Sequence, residues 1–250
     1  MYLNGGQRPP FCILLFWCYY FLIMDKSTYQ DKKIVLVMGT LGSGKGTQSD
    51  KLAETFGLYH FDTGPFLKEL FASNDPGITK EKAEYESGKW VSPEFVTKNV
   101  LEKIPDILAN HNGLVFSGSP RTLYEVEQEL PVFEQLVGKN NILVFYLDLS
   151  ETESIKRSTG RLICEKNNHP IPNLPEFQKI RENGTCPEDG SKLIRKELDD
   201  PIILKSRLSE HNSRTLPVLK YLKDRGYKII EINGEQPIEK VFEDIVKNFQ

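Results

Sequence analysis

The chain has 250 residues, 39% of them hydrophobic and 27% charged, which is the composition of an ordinary globular protein with one large domain. Its formal net charge of -3 at pH 7 gives no global basic field, so we expect no nucleic-acid partner. Of its 4 cysteines, Cys12 and Cys18 lie in an apolar N-terminal run. The remaining two, Cys164 and Cys186, do not make the disulfide framework of a secreted protein, so we expect a reducing, cytoplasmic location.

The first feature in chain order is an apolar run, FCILLFWCYYFLIM, at residues 11–24. This run is shorter than the roughly 18 to 20 residues that cross a bilayer as a helix, and no small-residue cleavage site follows it. A membrane anchor and a secretory signal are therefore weaker alternatives than a translation start at Met24, which we favour. We expect residues 1–30 to lie outside the fold, residues 31–250 to form its core, and no membrane partner.

A glycine-rich loop, GTLGSGKGTQ, follows the β-branched run KKIVLVM and precedes a helical stretch. Strand, loop and helix in this order predict a P-loop, in which backbone N–H groups and the helix N-terminus hold a phosphate. Lys45 is placed to reach the outer phosphates, and the following hydroxyl comes at Thr47, one residue later than in signalling GTPases. We expect the nucleoside triphosphate to bind at Gly42, Ser43, Gly44, Lys45, Gly46 and Thr47.

The rest of the chain alternates predicted strands and helices. This alternation predicts an α/β fold, a parallel sheet covered by helices, with ligands at the carboxyl ends of its strands. The further strands are expected at 114–118, 141–149 and 226–234, and the helices near 93–110, 122–136, 201–223 and 237–249. Two polar stretches, 62–91 and 160–198, do not fit the sheet, and we expect them to be insertions that project from it.

Several further motifs follow the loop in chain order: DTGPFLK (62–68), SGKWVS (87–92), GSPRTLYE (118–125), KRSTGR (156–161), and near the C-terminus RTLPVLKYLKDRG and INGEQP. Together with GKGT they resemble the motifs of adenylate kinases and related nucleoside-monophosphate kinases, from about residue 33 to the end. The resemblance implies a monomeric P-loop enzyme that transfers the terminal phosphate of ATP to AMP, with Mg²⁺ on the donor. It also implies that 62–91 is a small helical acceptor-binding insertion and 160–198 a lid that closes over the substrates.

The resemblance also implies roles for individual residues. Arg121 would clamp the acceptor monophosphate, because the planar fork of arginine pairs two phosphate oxygens. Arg157 and Arg161, four apart on one helical face, would reach the donor phosphates, with Gln236 on the same side. Arg195 and Arg207 would close over the transferring group. The full acceptor set is Thr63, Gly64, Lys68, Lys89, Trp90, Val91, Gly118, Ser119, Pro120, Arg121, Glu125, Arg195 and Arg207.

Three positions depart from the family's pattern. Lys68 stands in place of an arginine, so it keeps the charge but loses the bidentate geometry. Three residues separate Arg195 from Asp199-Asp200, where the family has a one-residue gap, and Lys196 competes for its role. Glu125 stands in place of a glutamine that reads adenine.

The change at Glu125 leaves the acceptor base open. An ionised carboxylate only accepts hydrogen bonds, so it suits the N–H groups of guanine better than the ring nitrogen of adenine. Alternatively, Glu125 faces solvent and backbone groups read the base. A kinase for GMP, CMP or UMP, and a non-catalytic nucleotide-binding relative, therefore remain alternatives to an adenylate kinase.

The lid carries a candidate zinc site. One version of the family's lid holds zinc with two cysteine pairs, and Cys164 and Cys186 stand where those pairs begin. Cys164, His169, Cys186 and Asp189 together form a candidate ligand set, whereas Asn167 is a poor ligand. The alternative is a lid without metal, stabilised by hydrogen bonds and packing.

Overall fold

The computed structural model of the chain describes residues 29–72, 78–86, 91–167, 169–196 and 199–249. The apolar run at 11–24, Met24, Lys89 and Trp90 lie outside the described residues. The core is a five-stranded parallel sheet in the order β2-β3-β1-β4-β8. Its strands are β1 (Lys33–Gly39), β2 (Tyr59–Phe61), β3 (Gly113–Phe116), β4 (Ile142–Asp148) and β8 (Ile229–Asn233).

The α/β prediction is confirmed, because helices pack on both faces of this sheet. On one face, Ile34 and Leu36 of β1 belong to a large apolar cluster with α4, α5 and α9. On the other face, Val35 and Val37 belong to a second cluster with α1 and α10. A central strand covered on both sides has a continuous apolar sequence, as KIVLVMG does. These helices are α1 (Lys45–Phe56), α4 (Pro93–Asn110), α5 (Leu123–Val137), α9 (Leu216–Asp224) and α10 (Ile238–Val246).

The long helix expected over 201–223 is instead two helices joined by a wider turn. The first, α8 (Pro201–Glu210), is capped by Asp200, whose carboxylate accepts a hydrogen bond from the Ile202 amide at 2.9 Å. A π-helical turn over His211–Thr215, called the π turn below, then leads into α9. The apolar periodicity alone predicts one continuous helix, although Pro217, in the first turn of α9, lacks an amide donor and marks a break near this point.

The two polar stretches pack differently: Leu67 and Phe71 of the first belong to the large apolar cluster, whereas the second has a small apolar cluster of its own. Their described residues hold the helices α2 (Thr63–Ala72) and α3 (Thr79–Glu86) in the first stretch. The second follows α6 (Glu151–Gly160) and contains α7 (Gln178–Asn183) and a three-stranded antiparallel sheet in the order β6-β5-β7. Its strands are β5 (Leu162–Cys164), β6 (Pro170–Ile171) and β7 (Leu193–Ile194). In the described part of the chain, no helix combines the length and the apolar character needed to cross a bilayer.

Candidate active site

The glycine-rich loop connects the end of β1 at Gly39 to the start of α1 at Lys45. Gly42 and Gly44 have φ angles of 70° and 91°, in the left-handed region that glycine adopts without strain. The loop thereby delivers the unpaired amides of the first turn of α1 to the edge of the sheet. The buried Ser43 hydroxyl has no hydrogen-bond partner among the described residues. The strand, loop and helix therefore have the arrangement that the sequence predicts, and phosphate binding there stays a prediction.

Lys45 lies against its own loop in this structure. Its Nζ donates to the carbonyl oxygens of Gly39 at 2.8 Å and Thr40 at 2.6 Å. Burial, followed by repulsion from Arg121 and Arg207, lowers the pKa of Lys45 to about 7. A bound phosphate would place a negative charge beside the Lys45 side chain, which favours its charged ammonium form.

The second loop of the site, here called the acceptor loop, runs from Gly118 to Arg121 after β3. A Cβ atom at Gly118 would lie 3.0 Å from Arg121 Nη2 and 3.1 Å from Thr63 Oγ1, so a side chain here would displace the guanidinium. The Thr63 hydroxyl is buried and has no hydrogen-bond partner among the described residues. Thr215 Oγ1 of the π turn donates to the Arg121 carbonyl at 3.1 Å, which ties the acceptor loop to the C-terminal helices.

Five basic side chains interact electrostatically at this edge of the sheet, and we call them the cationic cluster: Lys45, Arg121, Arg161, Lys196 and Arg207. Burial and then the charge of Arg121 lower the pKa of Arg207 to about 10. Burial and the neighbouring arginines also lower the pKa of Lys196. Asp62 and Asp199 offset part of the charge. An excess of partly buried positive charge favours a polyanionic ligand.

A cleft opens beside three members of this cluster, Lys45, Arg121 and Arg207. It is lined by the P-loop, the acceptor loop and three residues of the C-terminal helices, Arg207, His211 and Thr215. The cleft is at the carboxyl ends of β1 and β3, where open parallel sheets bind ligands. His211 was missed by sequence reasoning. Its available signal was the four-residue spacing from Arg207, which places both on one side of a helix.

The two arginines at the start of the lid do not share a helical face. α6 ends at Gly160, and Arg161 follows it with φ -73° and ψ 142°, so the expectation of one face is wrong. Arg157 donates from Nε to Glu153 at 3.0 Å and from Nη1 to the Gly234 carbonyl at 2.8 Å. Arg161 forms a bidentate pair with Asp199, with N–O distances of 3.0 and 2.7 Å.

Four of the other residues expected at the site, Arg195, Gln236, Lys68 and Val91, do not line the cleft. Arg195 is exposed, and its neighbour Lys196 instead interacts with Arg161 and Arg207. The register difference seen in the sequence therefore favours Lys196 over Arg195. Gln236 Nε2 donates to the Asn233 carbonyl and to Asp244, towards α10. Lys68 is exposed on α2, and Val91 is buried in the large apolar cluster.

Glu125 is buried, with only 4% of its surface exposed, so the alternative that it faces solvent is wrong. Its carboxylate accepts hydrogen bonds from the Arg121 amide at 2.7 Å, Thr122 Oγ1 at 3.0 Å and Ser119 Oγ at 3.2 Å. Its own amide donates to Thr122 Oγ1, the cap of α5, which completes a reciprocal capping arrangement. Glu125 thus ties the acceptor loop to the start of α5, and its reading of a base stays a prediction.

A second carboxyl group, Glu129, lies one turn further along α5 and is fully buried. The Ser119 hydroxyl is 3.0 Å from Glu129 Oε1 and 3.2 Å from Glu125 Oε2. One hydroxyl hydrogen cannot serve both carboxylates, so the second contact requires a proton on one of them. Burial, and then the charge of Glu125, raise the pKa of Glu129 well above its ordinary value. Burial also raises the pKa of Glu125, so the additional proton belongs to this carboxyl pair, and we expect it mainly on Glu129.

We expect the Glu129→Gln variant to lose less stability than the parent protein as the pH rises from 5 to 8. The folded pKa of Glu129 is raised, so the folded state holds a proton that the unfolded state releases, and stability falls with rising pH. The variant removes this contribution, which is at most about 1.4 kcal/mol per pH unit. Thermal unfolding across this pH range measures the effect, with exposed Glu127→Gln as the control on the same helix. Equal pH slopes in Glu129→Gln and the parent protein would contradict the proton assignment.

The lid brings the four candidate zinc ligands together. The ligand atoms of Cys164, His169, Cys186 and Asp189 all lie within 4.8 Å of one another. The backbone amide of His169 donates to Cys164 Sγ at 3.2 Å. Asn167 instead donates to Asp189 Oδ2 at 2.9 Å. Two sulfurs, an imidazole and a carboxylate are a donor set that suits tetrahedral zinc.

Comparison with known proteins gives consistent relatives. The family model described as adenylate kinase matches residues 37–227. The chain is 35% identical over 215 residues to an adenylate kinase of Chlamydia pneumoniae, covering 86% of this chain and 96% of that protein. It is 31% identical over 214 residues to an adenylate kinase of Oceanobacillus iheyensis, covering 84% and 96%. An adenylate kinase of Ureaplasma urealyticum is 33% identical over 212 residues, covering 84% and 95%.

Proposed function

The chain belongs to the adenylate kinase family, a family of nucleoside-monophosphate kinases, and from this premise we propose that it transfers the terminal phosphate of ATP to AMP. The observation that carries the proposal is the cationic cluster, which joins Lys45 of the P-loop to Arg121 of the acceptor loop across one cleft. A nucleotide hydrolase needs the first of these loops but not the second. Two phosphate-binding loops facing one cleft suit transfer between two nucleotides.

On the donor side, the P-loop amides and Lys45 hold the phosphates of ATP. Phosphoryl transfer demands little covalent work from the protein, so its main tasks are alignment and charge neutralisation. The family generally uses Mg²⁺ with ATP, and the ion supplies charge neutralisation on the donor phosphates. Lys45 exchanges its contacts with the Gly39 and Thr40 carbonyls for phosphate oxygens, and regains its full charge there.

On the acceptor side, Arg121 and Thr63 bind the phosphate of AMP. The guanidinium of Arg121 and the unpaired Thr63 hydroxyl both approach Gly118, so they face the same point. Glu125 holds the backbone of Arg121 through its amide, at 2.7 Å, and thus sets the position of the acceptor loop. AMP is favoured over other acceptors by the names of the relatives, whose match extends over most of the chain.

The small antiparallel sheet acts as the lid in this proposal. Arg161 directly precedes its central strand β5, Lys196 follows its edge strand β7, and both interact with Arg207 of α8. When the lid closes, these cations reach the phosphates and water is excluded, so that the phosphoryl group passes to AMP and not to water. The Arg161–Asp199 ion pair is positioned to exchange for a phosphate contact during closure.

We expect Lys196→Ala to lower kcat/KM by about 10- to 100-fold, and Arg195→Ala to lower it less than threefold. The two residues are neighbours in the chain, but only Lys196 interacts with the cationic cluster, whereas Arg195 is exposed. Steady-state kinetics of the two variants, side by side, measure the difference. A larger loss in Arg195→Ala would restore the original assignment from the sequence.

We further propose that the lid holds structural zinc at Cys164, His169, Cys186 and Asp189. Purified protein is expected to contain about one equivalent of zinc, and Cys164→Ser to lose it together with thermal stability. Asn167→Ala, which changes a residue that contacts Asp189 but is not in the ligand set, is expected to keep the metal. Less than a tenth of an equivalent of zinc in the parent protein would rule the site out.

A coupled assay for ADP formation from ATP and AMP tests the central proposal. Activity with AMP distinguishes it from the non-catalytic alternative. We also infer a monomer in a reducing compartment, where Cys164 and Cys186, free in this structure, stay available as metal ligands. Gel filtration and thiol titration test those two inferences separately.

A further inference from the structure

His211 is a buried polar residue in the candidate active site that the proposed mechanism does not use. It is 8% exposed and lines the cleft beside Lys45, Arg121 and Arg207. Its Nε2 atom is buried and has no hydrogen-bond partner among the described residues. Buried polar atoms are almost always paired, so an unpaired ring nitrogen at the wall of a cleft indicates a ligand that occupies the cleft.

The π turn fixes the position of this imidazole. A π turn is wider than an α-helical turn, and such turns often occur at functional sites. The turn begins with His211 and ends with Thr215, whose hydroxyl holds the Arg121 carbonyl at 3.1 Å. The same turn therefore places the imidazole in the cleft and fixes the loop that carries Arg121.

The ionisable groups lining the cleft with His211 come from three elements: Lys45 from the P-loop, Arg121 from the acceptor loop and Arg207 from α8. All three are cationic. Burial, then Lys45, then Arg121 lower the pKa of His211 to about 4, so the imidazole is neutral at pH 7 while the cleft holds no anion. A phosphate between these cations reverses the local field and favours protonation of the ring.

We propose that His211 Nε2 donates a hydrogen bond to the phosphoryl group in transit between donor and acceptor. The inference rests on the proposed function. It follows because the imidazole lines the same cleft as Lys45, which serves the donor phosphates, and Arg121, which serves the acceptor phosphate. The transferring group spreads its charge over three oxygens, and each oxygen gains from an additional preorganised donor.

The kinetic test compares a substitution that removes the N–H donor with one that keeps a donor. His211→Phe keeps an aromatic ring without a donor and is expected to lower kcat by about 10- to 100-fold, with KM for both nucleotides within threefold. His211→Gln keeps an N–H donor and is expected to recover most of the loss. His111→Phe is the matched control, since His111 follows α4 at the opposite edge of the sheet.

The second test follows the imidazole itself by NMR and does not depend on turnover. The chain has only 4 histidines, so the His211 signal is assigned by comparison with His211→Phe. The pKa of His211 is expected to rise by more than one pH unit when AMP and a non-hydrolysable ATP analogue are both bound. An unchanged pKa, or unchanged kcat in His211→Phe, would overturn the inference. Absence of ADP formation by the parent protein would instead overturn the proposed function.

Discussion

Replacing Lys45 with alanine is expected to lower kcat by at least about 10³-fold while leaving the protein folded. Lys45 is the P-loop member of the cationic cluster, and its ammonium group lies against the loop, 2.6 Å from the Thr40 carbonyl. The loss of its charge also relieves repulsion with Arg121 and Arg207, so thermal stability should not fall. Rapid-quench or coupled assays measure the rate, and calorimetry checks the fold. Residual activity within tenfold of the parent would remove Lys45 from the mechanism.

The same residue gives donor binding a specific pH dependence. Because the pKa of Lys45 is about 7 in the unliganded protein, the side chain must take up a proton when ATP binds at higher pH. Affinity for ATP is therefore expected to fall, by up to tenfold per pH unit, as the pH rises from 7 to 9. Lys45→Arg keeps its charge across this range and is expected to show a flat profile. Identical pH profiles of ATP affinity for Lys45→Arg and the parent protein would show that a group other than Lys45 titrates.

Replacing Arg121 with alanine is expected to lower kcat/KM for AMP by about 10³-fold, with KM for ATP changed less than threefold. The guanidinium of Arg121 packs against Gly118 and beside the unpaired Thr63 hydroxyl, so its removal empties the acceptor end of the cleft. Arg121→Lys should be intermediate, because an ammonium group keeps the charge and loses the paired geometry.

Initial rates at varied AMP and varied ATP separate the two nucleotide sites. Arg225→Ala is the control, since Arg225 caps the end of α9 away from the cleft and packs against Tyr221. A rise in KM for ATP with unchanged KM for AMP would assign Arg121 to the donor side instead.

Local sequence predicts the parts of this site that depend on backbone geometry. Glycines at 42 and 44 are required by left-handed φ angles, and Gly118 by the close approach of Arg121, so the two loops could be recognised from their residues. The parallel sheet could also be predicted from the sequence, because its longer strands are continuous apolar runs. β2 was missed because it has three residues and only Phe61 is buried, too little for a period to be seen.

The rest of the site depends on packing between segments far apart in the chain. Glu125 and Glu129 are four residues apart, but only the folded acceptor loop brings Ser119 between them. Lys196 interacts with Arg207 only because the chain that leaves the small antiparallel sheet packs near α8. The π turn has no signal in its residues, so the orientation of His211 could be found only in the structure.

The proposed adenylate kinase activity is tested most directly by the acceptor preference of the purified enzyme with ATP, measured as kcat/KM for AMP, GMP, CMP, UMP and dTMP. We expect kcat/KM for AMP to exceed that for every other acceptor by at least about tenfold, with two ADP formed for each AMP consumed. A large preference for GMP would contradict this expectation, and would indicate that the Glu125 carboxylate reads guanine.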